Sequence, residues 1–217
     1  MNTAEIKTNE VLLKEDGRWL HFSQPLHIIT TQNLDDVISA LQEVEKLIDK
    51  DSLHAAGFIS YEAAPVFDKA LITHASSPFL KQHSTLRSAR EGFPYLWFGL
   101  YTTPRIATLP EPDSAKEALS WLPTIDRNTY NAAIQQIKDC IAEGRTYQVN
   151  YTMRLRTEFK SDPWNFFLQL AQTQNNHAAY VDTGRFVIAS ASPELLFQFD
   201  GETITSRESI TPFWKFR

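Results

Sequence analysis

Hydrophobic and polar positions alternate without a fault over residues 147–156. In YQVNYTMRLR, Tyr147, Val149, Tyr151, Met153 and Leu155 take one side, and Gln148, Asn150, Thr152, Arg154 and Arg156 take the other. A period of two predicts a strand with one apolar and one polar face. Elsewhere the period lengthens to that of a helix. Val37, Leu41, Val44 and Ile48 share one face, behind Asn33 as cap and with Asp35 and Asp36 at the positive helix start. Tyr130, Ile134, Ile137 and Ile141 form a second stripe, opened by Asp126 and closed by Gly144. Asp162 and Pro163 open a third helix in the N-cap and N1 roles.

Shorter apolar runs predict the remaining elements. Residues 18–31 read as two strands broken at Pro25. Residues 55–61 read as a buried strand that runs into a short helix near Pro65, and 94–101 as a core strand. Between them, 73–92 read as an exposed loop. Strands at 177–182 and 185–190 are joined near Asp182 and Gly184. Leu195–Phe199 turns at Asp200-Gly201 into Glu202–Ser206, a strong hairpin signal. Pro104, Pro110, Pro112 and Pro123 make 102–124 the best linker. The expected division is therefore a first domain at 1–123, a second at 124–206, and a tail at 207–217. Strands joined by tight turns, with occasional helices, predict an α+β protein with mostly antiparallel sheets.

Composition narrows the function classes. Of 217 residues, 42% are hydrophobic and 22% charged, which is globular material. A formal net charge of -5 argues against a nucleic-acid partner, which needs a concentrated basic surface. Cys140 is the sole cysteine, so no internal disulfide forms and a reducing cytoplasm is expected. The N-terminus lacks the apolar core of a signal peptide, and no apolar run approaches the roughly 18 residues of a membrane span.

Several common sites are absent from the sequence: a Gly-rich phosphate loop, a Cys-pair zinc site, His-Glu-x-x-His and a G-x-S-x-G elbow. The six histidines are scattered singly and read as surface or satisfied structural residues. Three clusters admit both a structural and a functional reading. The polar face of 147–156 is either a solvated sheet face or a cleft wall whose amide and guanidinium donors hold a carboxylate. SASPELL, 190–196, is either a turn that exposes Glu194 or part of a site. In SYEAAPVFD, Glu62 and Asp68 either serve a helix start or face a ligand.

GFISYEAAPVFD, IAEGRTYQVNYTMRLR and ASASPELLFQFDGETIT, in this order and spacing, resemble the chorismate-utilising enzymes. Within that family the resemblance is to the aminodeoxychorismate synthase component I branch, with anthranilate synthase component I as its nearest relative. It implies a layered α/β sandwich of antiparallel sheets, and a central cleft that takes chorismate with Mg²⁺. It also implies a glutamine amidotransferase subunit (component II) as partner and source of ammonia, and 4-amino-4-deoxychorismate for folate synthesis as product. Gln148, Asn150, Arg154 and Glu194 are then the candidate cleft-wall residues. No catalytic residue carries over. The family's ring-attacking lysine lies in a Pro-x-Lys-Gly-Thr segment after the Asp-Gly turn, where this sequence has SRESITPFWKFR. The Mg²⁺-binding glutamates lie further on in the family and are missing as well. The expectation is a truncated component I, inactive alone, with 207–217 an aberrant tail. Alternatives are an anthranilate synthase fragment or a non-catalytic module that docks the amidotransferase. Asn176 and His177 replace a Pro-Tyr pair that relatives use for tryptophan feedback, which argues against such control here.

Overall fold

Val11–Glu15 (β1) and Arg18–Phe22 (β2) pair antiparallel around Asp16 and Gly17, whose φ angles are 48° and 75°. Two consecutive left-handed residues are what the tightest hairpin turn requires, and Asp-Gly adopts them readily. The computed structural model describes residues 3–71, 73, 92–113, 119–173, 177–192 and 195–207. The chain divides into two units, Met1–Asp113 with Asp162–Arg217, and Ser114–Ser161.

In the first unit, β1 is flanked on its other side by His177–Asp182 (β9), which pairs in turn with Val187–Ser192 (β10). Arg105–Ala107 (β6) completes the far edge against β2, giving a five-stranded antiparallel sheet in the order β10-β9-β1-β2-β6. A second, three-stranded antiparallel sheet places Leu96–Tyr101 (β5) between His27–Thr31 (β3) and His54–Ile59 (β4).

Side-chain alternation joins these sheets into layers. Val11 and Leu12 are both 0% exposed although neighbours on a strand point to opposite faces. Leu12 packs with Phe167, Ala171 and Tyr180, under the helix Pro163–Thr173 (α3). Val11 packs with Phe22, Ala56, Trp97, Tyr101 and Val181, between the two sheets. On the far side of the second sheet, Leu96 and Leu100 meet Val37, Ala40 and Val44 of the helix Val37–Asp51 (α1). The order helix, sheet, sheet, helix is a layered α/β sandwich, as expected from the sequence.

The caps are where the sequence places them. Asn33 Oδ1 accepts from the Asp35 N–H at 3.3 Å, ahead of a 3-10 turn at Leu34–Asp36 that leads into α1. Asp162 accepts from the N–H groups of Trp164 and Asn165, each at 3.1 Å. Three expectations need correction. β4 is an edge strand and buries only Ala56 fully, so it is not the buried strand anticipated at 55–61. Part of the linker expected at 102–124 is the strand β6. The final hairpin, Leu195–Phe199 (β11) with Ile204–Arg207 (β12), takes a wider turn than a two-residue Asp-Gly loop. The Asp200 carboxylate holds it by accepting from the N–H groups of Glu202 (2.9 Å) and Thr203 (2.7 Å). The anticipated tail at 207–217 overlaps β12 at Arg207, and 208–217 lie outside the described residues, as do residues 74–91 of the loop anticipated at 73–92.

Gly57 of β4 lies against the neighbouring strand so closely that a β-carbon would run into the Trp97 carbonyl oxygen and stand 2.8 Å from Phe98 Cα. These are backbone atoms and do not swing aside. Gly57→Ala is therefore expected to cost about 1–3 kcal/mol, read as a lowered urea midpoint; an unchanged midpoint would contradict this packing.

The second unit holds the helix Arg127–Ala142 (α2) and a short pairing of Leu122–Pro123 (β7) with Leu155–Arg156 (β8). Tyr130 of α2 meets Tyr151 edge-on at 5.7 Å between ring centroids. The long strand expected over 147–156 is realised only at its last two residues, and Tyr147 is 94% exposed. Alternation says which way side chains would face if a strand formed. A strand also needs a neighbour for its N–H and C=O groups. Among the described residues of this unit, β7 and the Thr124 N–H supply it only from Arg154 onward.

Asp126 caps α2 by accepting from the Thr129 N–H at 2.7 Å, and that bond holds its carboxyl below the usual range. A lowered pKa stabilises the helix above the ordinary carboxylate range and ceases to do so as pH falls through the folded value. Asp126→Asn keeps an acceptor but cannot titrate. The native chain's advantage over this variant in helical ellipticity is expected to vanish on acidification; an advantage that survives in strong acid would reject the assignment.

Candidate functional site

In the first unit, Ser190 and Ser192 of β10 stand opposite Ala179 and His177 of β9. These residues line a cavity of about 440 Å³ over β1, β2, β9, β10 and β11. Leu13, Leu20 and Phe22 give it apolar walls, and Lys14, Glu15, His177, Ser190, Ser192 and Gln198 add polar ones. Such a lining suits a compact ligand with an apolar body and a few polar substituents.

The residues singled out from the sequence are placed differently. Gln148, Asn150 and Arg154 are exposed in the second unit. Gln148 Nε2 reaches Asn150 Oδ1 at 3.4 Å, so these two are brought together, if only weakly. The Arg154 carbonyl accepts from the Thr124 N–H at 2.9 Å, which ties its backbone to the start of the unit. Glu194 and its neighbour Pro193 lie outside the described residues. Glu62 is half-buried in the first turn of a 3-10 helix, Tyr61–Val66, and Asp68 Oδ1 accepts from the Ala70 N–H at 2.8 Å. Both positions fit the structural reading.

The sequence reading missed a buried hydrogen-bonded pair. Glu10 and His21 are only 4% and 7% exposed, and Glu10 Oε2 lies 2.9 Å from His21 Nε2. The signal was present in the hairpin. Asp16-Gly17 between VLLKE and RWLHF sets Leu12 opposite His21, and Glu10 stands two residues before Leu12, on the same side of the chain.

No group of three or more His, Cys, Asp or Glu side chains among the described residues is arranged to hold a metal ion. Nor is any helix among them long and apolar enough to cross a membrane.

A family model described as "chorismate binding enzyme" matches residues 8–208. Among curated proteins, aminodeoxychorismate synthase component 1 of Escherichia coli is 30% identical over 88 residues, 40% of this chain and 19% of that one. Anthranilate synthase component 1 of Thermus thermophilus is 30% identical over 82 residues, 37% of this chain and 18% of that one. Aminodeoxychorismate synthase component 1 of Bacillus subtilis is 30% identical over 79 residues, 36% of this chain and 17% of that one. The matched stretches thus span less than a fifth of each relative's length.

Proposed function

The chain belongs to the chorismate binding enzymes, and from that premise we propose that it serves the amination of chorismate to 4-amino-4-deoxychorismate, with ammonia from a glutamine amidotransferase partner. The observation that carries this reading is the family match over residues 8–208, joined to similarity with two proteins named aminodeoxychorismate synthase component 1. Residues 1–217 contain no Lys-Gly-Thr. The lysine that the resemblance assigns to attack on the ring is not among them, so this polypeptide alone is proposed to bind without completing the reaction. Gln148, Asn150, Arg154 and Glu194 remain the proposed contacts to the substrate. A guanidinium pairs well with a carboxylate, so Arg154→Ala is expected to weaken chorismate retention about tenfold, the worth of one charge-assisted hydrogen bond.

The test combines equilibrium dialysis against chorismate, incubation with chorismate, ammonia and Mg²⁺, and gel filtration with a component II protein. Retained chorismate, no turnover and co-elution with component II are the expected results. Absence of both chorismate retention and co-elution would sink the proposal. Similarity to the Thermus protein supports a second reading, as an anthranilate synthase component; fluorescent anthranilate in the incubation would favour it.

A further inference from the structure

In the second unit, the segment 147–153 is a strand without a neighbour. Its sequence, YQVNYTM, alternates apolar and polar residues and holds no charge, proline or glycine. Charges and prolines are what ordinarily protect an open strand edge from other chains. Among the described residues, no backbone N–H or C=O over 149–153 finds a hydrogen-bond partner. Tyr147, Val149, Tyr151 and Met153 are all exposed, and so are Gln148, Asn150 and Thr152. The helix beside the segment is in the same state. The apolar stripe of α2 contains no fully buried residue, and Ile141 is exposed.

We propose that 147–153 pairs antiparallel with the same segment of a second copy of this chain, about a two-fold axis at Asn150. Centred there, Val149 stands opposite Tyr151, Tyr147 opposite Met153 and Gln148 opposite Thr152. Apolar residues meet apolar ones and polar residues meet polar ones, so the segment is its own complement. Such a contact closes on itself and needs no third party. Charge selects the direction. In the antiparallel register Arg145 falls opposite Leu155 and Arg154 opposite Thr146, so no like charges meet. A parallel, in-register pairing sets Arg154 beside Arg154 and Arg156 beside Arg156, which is repulsive. The unpaired backbone groups gain partners, as they do wherever a strand is added to an open edge. Tyr151 already meets Tyr130 of α2. The apolar face of the ribbon therefore lies toward the two copies of α2, whose exposed stripes it covers. The polar face, with Gln148, Asn150 and Arg154, stays open to solvent.

The experiment uses the whole chain. Sedimentation velocity over a wide range of concentration is expected to show a monomer–dimer equilibrium. In a mixture of isotope-labelled and unlabelled chains, intermolecular NOEs are expected between the Val149 methyl groups and the Tyr151 ring. Asn150→Lys sets two like charges face to face at the axis and is expected to weaken dimerisation about fivefold or more. Asn150→Asp is expected to do the same. Mixed in equal amounts, the two variants are expected to recover the dimer, because opposite charges then face each other. Asn150 is exposed, so neither variant is expected to change the melting temperature of the monomer. The proposal is overturned if the chain stays monomeric at every concentration, or if it assembles past the dimer without closing. It is overturned equally if Asn150→Lys leaves dimerisation unchanged, or if the mixture fails to restore it.

Discussion

Phe167→Ala is expected to destabilise the chain by about 3–5 kcal/mol, the largest effect of any single substitution considered. Phe167, on the buried face of α3, is fully buried, and three aromatic rings surround it. Trp19 meets it edge-on at 5.8 Å, Trp164 stacks at 5.6 Å and Tyr180 is tilted at 5.2 Å. Removing the ring leaves a void that these rigid neighbours fill poorly, so the cavity cost adds to the lost transfer energy. Urea unfolding followed by tryptophan fluorescence measures the loss. Tyr180 supplies a second readout. Its hydroxyl pKa is pushed up to about 12, by burial first and then by the charges of Asp182 and Asp162. Opening the cavity beside it is expected to bring that titration back toward the ordinary tyrosine range. A variant with native stability and an unchanged Tyr180 titration would show that α3 does not pack as described.

His21→Ala is expected to cost nearly as much, about 3 kcal/mol, because it strands the Glu10 carboxylate in the interior. The useful comparison is a double-mutant cycle. Glu10→Ala and His21→Ala combined are expected to lose markedly less than the sum of the two single losses, since each single change leaves the other group buried without its partner. Glu10→Met with His21→Leu, which fills the space with apolar atoms, is expected to fall close to native stability. Strictly additive losses would mean that the two side chains do not interact in solution.

What could be read from the sequence was mostly local. Asn33, Asp126 and Asp162 cap their helices within three residues of themselves, so nothing distant was needed to recognise them. The apolar stripe of α1 was legible for the same reason, and its burial follows from the sheet it covers. Non-local pairing was harder. YQVNYTMRLR has the right alternation, but the strand depends on a partner that the pattern does not contain. The Glu10–His21 pair becomes visible only once the β1–β2 register is known, and β1 itself was passed over although Asp16-Gly17 marked its end. As for the candidate site, Gln148 and Asn150 do approach one another, Arg154 lies further along the same segment, and Glu194 falls outside the described residues.

β1 stands between β2, its neighbour in sequence, and β9, whose Val181 is paired with Val11. During synthesis, then, the β1–β2 hairpin emerges with one side already matched and the other bare, and it stays so until His177–Asp182 has left the ribosome. Closing so long a loop is slow. In the meantime the bare flank is open to a strand from another growing copy. Crowded translation is thus the circumstance in which this protein is most exposed to mispairing, and a slower supply of nascent chains is the remedy its topology calls for.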